Sequence, residues 1–206
     1  MKKDSLKLLN NQEIIKWCYE GITDVSLKNT SNAEKLKASK KKEDEWGDKV
    51  VGGNGGGQWT TVLCQDLVIE ALSCLGRNNV KKAKPIQSSV REKQYQPDLE
   101  CDKYVYEVKG RNWSTTGTAG EKILGVPLKY GELPRLYKKP LQIILVGYQE
   151  YEAKKGFAFG DLLDKNNQTL ELQESLAFYK EYEIEYIAFT DILKKIGFPY
   201  GCWNKS

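Results

Sequence analysis

Two carboxylates and a lysine, Asp98, Glu107 and Lys109, are spaced so that one short β-hairpin could gather them. Residues 104–109 are rich in β-branched and aromatic side chains, which predicts a strand. Because side chains alternate along a strand, Glu107 and Lys109 are expected on the same face as Val105. Carboxylate oxygens suit a hard cation such as Mg²⁺, and a neighbouring ammonium can orient a water or stabilise charge on a phosphate. This combination predicts hydrolysis of phosphodiesters.

The position of Asp98 in such a site depends on the residues that precede the strand. A tight turn at residues 100–103 would return Asp98 to the neighbourhood of Glu107. The backbone carbonyl of Val108 would then offer a third oxygen to the cation. The alternative is an exposed hairpin whose charges are merely solvated.

The pattern Pro97-Asp98 followed by Glu107-Val108-Lys109 resembles the signature of the PD-(D/E)xK nuclease superfamily, whose largest group is the type II restriction endonucleases. The resemblance covers residues 97–109 specifically and residues 60–147 loosely. It implies Mg²⁺ as cofactor, metal ligands from Asp98, Glu107 and Val108, and a water-orienting role for Lys109. It also implies products with 5′-phosphate and 3′-hydroxyl ends.

A helix over residues 59–75 is predicted from its broad apolar face, with Gly76 as the residue that ends it. In the superfamily that the chain resembles, a helix before the catalytic hairpin often contributes an acidic residue to the metal site. Glu70 is the candidate for this auxiliary role, with Asp66 behind it. The alternative for Glu70 is a solvated helix glutamate.

A polar segment with several glycines follows the predicted catalytic strand. Its side chains could donate to phosphates and base edges, so the segment is a candidate DNA-contacting surface. The alternative is a structural turn in which the tryptophan packs on the body of the protein. The residues concerned are Arg111, Asn112, Trp113, Ser114, Thr115, Thr116 and Lys122.

The composition excludes several other kinds of protein. The chain of 206 residues contains no histidine, which excludes HNH nucleases, Ser-His-Asp hydrolases and Cys₂His₂ zinc fingers. Five cysteines without a CxxC pair are typical of reduced thiols, so an intracellular, cytoplasmic protein is expected. No apolar run is long enough to span a membrane. The net charge of +4 is mild, but basic residues cluster, for example at Lys81, Lys82 and Lys84.

The predicted order of elements is helix, hairpin, helix, strand, helix, strand, helix. This order favours a mixed α/β fold with a central mixed sheet flanked by helices, as in a restriction-endonuclease-like core. A helix is predicted over residues 11–22, and an exposed helix or partly mobile arm over residues 32–46. Residues 1–50 are therefore expected to form a basic, helical appendage to a nuclease core of residues 51–206.

The function expected from these observations is that of a type II restriction enzyme, a Mg²⁺-dependent, sequence-specific endonuclease acting on double-stranded DNA. Cutting both strands of a palindrome calls for two equivalent sites and hence a homodimer. A repair nickase or junction-resolving nuclease would keep the same chemistry. A non-catalytic DNA-binding module, with a structural acidic hairpin, is the alternative from another class.

Overall fold

The computed structural model describes residues 6–21, 33–51, 59–114, 118–155 and 160–202. Within these ranges the helices are α1 (Gln12–Glu20), α2 (Ala33–Val51), α3 (Trp59–Cys74), α4 (Val126–Lys129), α5 (Leu133–Tyr137), α6 (Tyr148–Lys155), α7 (Leu170–Glu181) and α8 (Phe189–Lys195). The strands are β1 (Lys81–Lys82), β2 (Ile86–Gln87), β3 (Gln94–Tyr95), β4 (Leu99–Glu100), β5 (Val105–Arg111), β6 (Leu141–Gly147) and β7 (Ile184–Ala188). None of the helices in these ranges is both long and apolar enough to cross a membrane.

A five-stranded sheet in the order β1–β4–β5–β6–β7 forms the centre of the fold. Strand β4 pairs antiparallel with both β1 and β5, whereas β5–β6 and β6–β7 are parallel pairs. Strands β2 and β3 form a separate two-stranded ribbon. The mixed sheet with helices around it confirms the predicted fold class.

The side chains of β5 alternate between two core clusters, one on each face of the sheet. Tyr106 and Val108 pack with apolar residues of α3 and α8 in the first cluster. Val105 belongs to the second cluster, together with Tyr130. Because Glu107 is two residues beyond Val105, it points to this second face. The alternation predicted for the strand is therefore confirmed.

The β4–β5 hairpin places Asp98 beside β5. Leu99 lies opposite Tyr106 in the antiparallel register, so the preceding Asp98 comes opposite Glu107. Residues 101–104 connect the two strands, as the predicted turn requires. The local sequence pattern was thus sufficient to predict the fold of this hairpin.

The described part of segment 1–50 belongs to the core. Leu9 and Trp17 are at most 1% exposed and lie in the same cluster as the apolar face of α3. Helix α2 also packs on this cluster, because Trp46 stacks on Trp17 and meets Trp59 edge-on. Packing among three indole rings, of which Trp17 and Trp59 are buried and Trp46 is partly buried, joins the two N-terminal helices to α3. The apolar residues of this segment therefore belong to the same core cluster as α3, and the division of the chain at residue 50 stays a prediction.

Helix α6 was not expected from the sequence. It follows β6 directly at Gly147, whose φ of 63° allows the chain to change direction sharply. Its sequence lacks apolar periodicity, because two of its three buried side chains, Gln149 and Glu150, are polar. The Glu150 carboxylate accepts the backbone N–H of Thr190 at 2.9 Å. A helix whose buried face is polar gives no hydrophobic signal in the sequence.

Candidate active site

Asp98 is half-buried, and both of its carboxylate oxygens are held by the protein. The side-chain amide of Gln65 donates to Oδ1 at 2.7 Å, and the backbone N–H of Val108 donates to Oδ2 at 2.7 Å. One contact comes from α3 and the other from β5, so the carboxylate is fixed between the helix and the strand. Each carboxylate oxygen has a second lone pair, which leaves capacity for a cation.

Glu107 is only 3% exposed, and its two oxygens have different surroundings. Oε1 accepts a hydrogen bond from the ammonium of Lys109, whereas Oε2 is buried and has no hydrogen-bond partner among the described residues. Burial raises the pKa of the Glu107 carboxyl; Lys109 opposes this shift and the nearby Asp98 adds to it. An unpartnered, buried carboxylate oxygen is costly, and such oxygens are typical of sites that hold a cation.

Tyr130 lies next to these charges, and its phenol forms a side-chain hydrogen bond with Glu107. Burial raises the pKa of its phenol to about 12, and the negative charge of Glu107 adds to the shift. Its ring lies 6.0 Å from that of Tyr95, and the Lys129 ammonium lies 4.5 Å from the ring centre.

A cleft of about 560 Å³ opens next to Lys109 and is bordered by the 3₁₀ helix Thr118–Gly125 and by α4. Three lysines line it, Lys109, Lys122 and Lys129, and the latter two are exposed. The other lining residues are Gly110, Arg111, Glu121, Ile123, Gly125, Val126, Tyr130 and Gln149. A cleft lined by several ammonium groups attracts anions such as phosphate.

The donors at this site fit Mg²⁺. Among the described residues, no group of three or more histidine, cysteine, aspartate or glutamate side chains is arranged to hold a metal ion. Mg²⁺, however, is usually bound through one or two carboxylates, with waters and substrate phosphates completing its coordination. Asp98 and the free oxygen of Glu107 provide such a pair. The carbonyl of Val108 as a further ligand stays a prediction.

Glu70 does not belong to this site. Its carboxylate accepts the backbone N–H groups of residues 7–9 at 3.0–3.2 Å. Because Glu70 is five residues beyond Gln65, it lies about 140° further round the helix, away from Asp98. The expected auxiliary acid is therefore wrong, and Glu70 anchors the N-terminal segment to α3. Asp66, the second choice, is exposed.

The α3 residue that does reach Asp98 is Gln65, which the sequence reasoning missed. The family pattern favours an acidic residue at this place in the helix, because carboxylates bind metals. The only signal for Gln65 in the sequence was its position at the edge of the apolar face of the helix. A neutral amide orients the Asp98 carboxylate through a hydrogen bond, as residues behind metal ligands commonly do.

The segment after the strand was expected to contact DNA, but its first two residues are used inside the protein. Arg111 is 7% exposed and forms an ion pair with Glu152 at 2.5 Å. Asn112 is half-buried and accepts a hydrogen bond from Thr60. Arg111 also lines the cleft next to Lys109, so a contact of Arg111 with DNA stays a prediction, and Asn112 has a structural partner.

Trp113 and Ser114 are also buried, and one carboxylate accepts hydrogen bonds from the backbone of both residues. Glu43 of α2 is 1% exposed and accepts the backbone N–H groups of Trp113 and Ser114 at 2.9 and 3.0 Å. The indole N–H of Trp113 donates to the carbonyl of Trp17 at 3.0 Å. The alternative interpretation, a structural turn with Trp113 packed on the protein, is thus confirmed for these residues.

Three residues of the predicted DNA surface remain. Thr115 and Thr116 lie outside the described residues. Lys122 is exposed on the cleft next to Lys109, so phosphate contact by Lys122 stays a prediction.

The comparisons with known proteins identify no family, so a functional proposal depends on the geometry of this site. No protein-family model matches the chain, and neither a curated protein nor a solved structure matches it. The resemblance to the PD-(D/E)xK nucleases therefore depends on residues 97–109 and on the hairpin that they form.

Proposed function

We propose that the protein is a Mg²⁺-dependent endonuclease that hydrolyses phosphodiester bonds in double-stranded DNA. The observation that carries the proposal is the buried, unpartnered oxygen of Glu107, located next to Asp98 and Lys109 at a lysine-lined cleft. A solvated acidic hairpin would have no reason to bury a carboxylate in this way. A cation bound there would compensate the cost of burial.

Asp98 and Glu107 would hold Mg²⁺, with Gln65 and the Val108 N–H keeping the Asp98 carboxylate in place. Mg²⁺, when bound, supplies Lewis-acid stabilisation of the negative charge that develops on the phosphate. Lys109 is one-third exposed and paired with Glu107, so its ammonium is held at the mouth of the cleft. There it orients the attacking water and donates to the phosphate.

The reaction is an in-line displacement at phosphorus. The water oxygen bonds to phosphorus, and the bond from phosphorus to the 3′ oxygen breaks. A proton passes to the leaving oxygen, so the products carry a 5′-phosphate and a 3′-hydroxyl. Lys122 and Lys129, exposed on the cleft, hold the phosphates on either side of the scissile bond.

The role we propose is restriction, as the resemblance to type II enzymes implies. A restriction enzyme cuts both strands of a palindromic site, which requires two equivalent active sites related by a two-fold axis. We therefore propose a homodimer as the active form. The proposed mode of action is sequence-specific cleavage without a nucleotide cofactor.

The test is incubation of the protein with unmodified, phage-sized DNA in the presence of Mg²⁺. Discrete, reproducible fragments are expected with Mg²⁺ and none with EDTA. Lys109→Ala should lower the rate by at least about 100-fold, because it removes a group that stabilises charge in the transition state. Lys103→Ala removes the same charge from the exposed turn of the same hairpin and should cleave like the wild type.

Three outcomes would contradict parts of the proposal. Cleavage in EDTA would exclude the metal, and equal rates for Lys109→Ala and Lys103→Ala would exclude the role of Lys109. Conversion of a supercoiled plasmid to the open circle alone would identify a nickase in place of a restriction enzyme.

A further inference from the structure

Strand β1 and the β2–β3 ribbon together carry a concentration of positive charge that the candidate active site does not use. Residues 81–93 include five basic side chains and one acidic side chain. Lys81 and Lys82 belong to β1, so the ribbon and the residues that lead into it supply Lys84, Arg91 and Lys93, with Glu92 as the one acidic side chain. All six of these charged side chains are exposed. Within the part of the chain that the structure describes, Lys84, Arg91 and Lys93 have no salt-bridge partner. Such a segment is suited to a polyanion.

The tip of the ribbon has a defined conformation. The hydroxyl of Ser88 accepts the backbone N–H groups of Val90 at 3.2 Å and Arg91 at 3.1 Å. The side-chain amide of Gln87 donates to the carbonyl of Arg91 at 2.7 Å. These contacts hold Val90 with 82% of its surface exposed. A tip that is already ordered loses little conformational entropy when it binds a partner.

Glu132 fixes the ribbon to the segment that contains α4 and α5. Its carboxylate accepts hydrogen bonds from the hydroxyl of Ser88 at 2.7 Å and from that of Tyr95 at 2.9 Å. Hydrogen bonds from Ser89 and Ser88 lower the pKa of Glu132 to about 2. The carboxylate therefore stays ionised at neutral pH and keeps the ribbon attached to the wall of the cleft.

The ribbon lies close to the candidate active site. The guanidinium of Arg91 is 4.3 Å from the centre of the Tyr95 ring, which is 6.0 Å from that of Tyr130. Arg91 is thus within roughly 10 Å of Tyr130, which lines the cleft with Lys109. One base-pair step spans about 3.4 Å, so this distance corresponds to a few steps along a duplex.

We propose that the β2–β3 ribbon enters the major groove of DNA a few base pairs from the bond that is cut. The major groove is wide enough to admit a two-stranded ribbon. Arg91 and Lys93 contact phosphates, and Val90 contacts base edges, where a thymine methyl is the apolar group available. The inference rests on the proposed function and names the element that recognises the substrate.

The experiment measures binding of a labelled, random-sequence DNA duplex in EDTA as a function of salt, so that cleavage plays no part. The double variant Arg91→Ala/Lys93→Ala should bind at least about 10-fold more weakly, with a salt slope lower by about 1.8, since each lost phosphate contact removes about 0.9. Lys165→Ala/Lys180→Ala removes the same charge from exposed positions around α7 and should keep the wild-type slope. Equal losses in the two double variants would overturn the inference.

The outcomes separate this inference from the proposed function. If the wild-type protein cleaves DNA but its binding does not depend on Arg91 and Lys93, the nuclease proposal stands and the proposed role of the ribbon is rejected. If binding depends on these two residues but the protein cleaves no DNA, the role of the ribbon stands and the nuclease proposal is rejected. A wild-type protein without affinity for duplex DNA would reject both.

Val90→Ser tests the contact with base edges. The substitution removes no charge, so the salt slope should match that of the wild type. The sequences that the variant selects from the random duplex pool should differ from those that the wild type selects. Selection of the same sequences would overturn the placement of Val90 against the bases.

Discussion

Residues 107–109 and residues 111–114 are adjacent in the chain, but they use their polar side chains in opposite ways. In the first segment, one oxygen of buried Glu107 has no hydrogen-bond partner among the described residues, and Lys109 reaches the cleft. In the second, Arg111 is paired with Glu152. The backbone of Trp113 and Ser114 is satisfied by the distant carboxylate of Glu43.

The difference shows that polar composition alone does not distinguish a binding surface from a segment whose polar groups are hydrogen-bonded inside the protein. Both segments contain charged or hydrogen-bonding side chains that could contact DNA. In residues 111–114, partners from α2 and α6 hold the Nη1 of Arg111 and the backbone of Trp113 and Ser114. Glu107, in contrast, is a buried carboxylate with one oxygen that accepts no hydrogen bond from the described residues. An unsatisfied buried oxygen is therefore a stronger indication of a site than a run of polar residues.

Glu107→Gln is expected to have the largest effect. It removes a charge that would bind Mg²⁺, so cleavage should fall by about 10³-fold. Circular dichroism should show that the variant is folded. Cleavage at more than a tenth of the wild-type rate would remove Glu107 from the proposed site.

The same variant also gives a stability prediction with a definite sign. The folded-state pKa of Glu107 is raised by burial, so its contribution to stability is complete at acidic pH and is lost as pH rises through that pKa. In EDTA, Glu107→Gln should therefore gain stability relative to the wild type as pH rises above about 4.5, the ordinary carboxyl value. Urea unfolding of both proteins across this range checks the trend, and a constant difference would contradict it.

Glu43→Ala tests the structural segment. It leaves two buried backbone N–H groups and the Trp17 indole without their acceptor, so the free energy of unfolding should fall by about 3 kcal/mol. Glu45→Ala, at an exposed position of the same helix, should change it by less than about 1 kcal/mol. If the two variants unfold alike in urea, segment 111–114 is not held by Glu43.

Gln65→Ala is expected to act through Asp98. Without the amide hydrogen bond, the carboxylate loses its orientation, and the Mg²⁺ concentration needed for half-maximal cleavage should rise about 10-fold. Thr61→Ala, one turn earlier at an exposed position of α3, is the matched control. An unchanged Mg²⁺ requirement in Gln65→Ala would mean that Asp98 does not depend on this contact.

Glu70→Gln should have the smallest effect, and on stability alone. The backbone N–H groups of residues 7–9 would lose a charged acceptor, which lowers the free energy of unfolding by about 1 kcal/mol. Cleavage by the folded variant should equal that of the wild type. A loss of activity without a loss of stability would return Glu70 to the catalytic residues.

Much of the fold could be predicted because its signals are local. The alternation of β5, the turn before it and the apolar face of α3 are all properties of short stretches, and the structure confirms each of them. Helix α6 was missed because two of its buried residues are polar and therefore give no periodic signal. The involvement of Trp17 and Trp46 in one core cluster was missed because the contact joins separate helices.

The sequence by itself determined that Asp98 and Glu107 meet across a hairpin and that Glu107 shares a face with Lys109. Strand alternation and a short turn leave few other arrangements for residues so close in the chain. Tertiary structure alone decided which polar groups have partners. Gln65, Glu43 and residues 7–9 reach their partners from distant parts of the chain. Hydrogen bonds and burial depend on distances in space, and spacing in the sequence does not specify them.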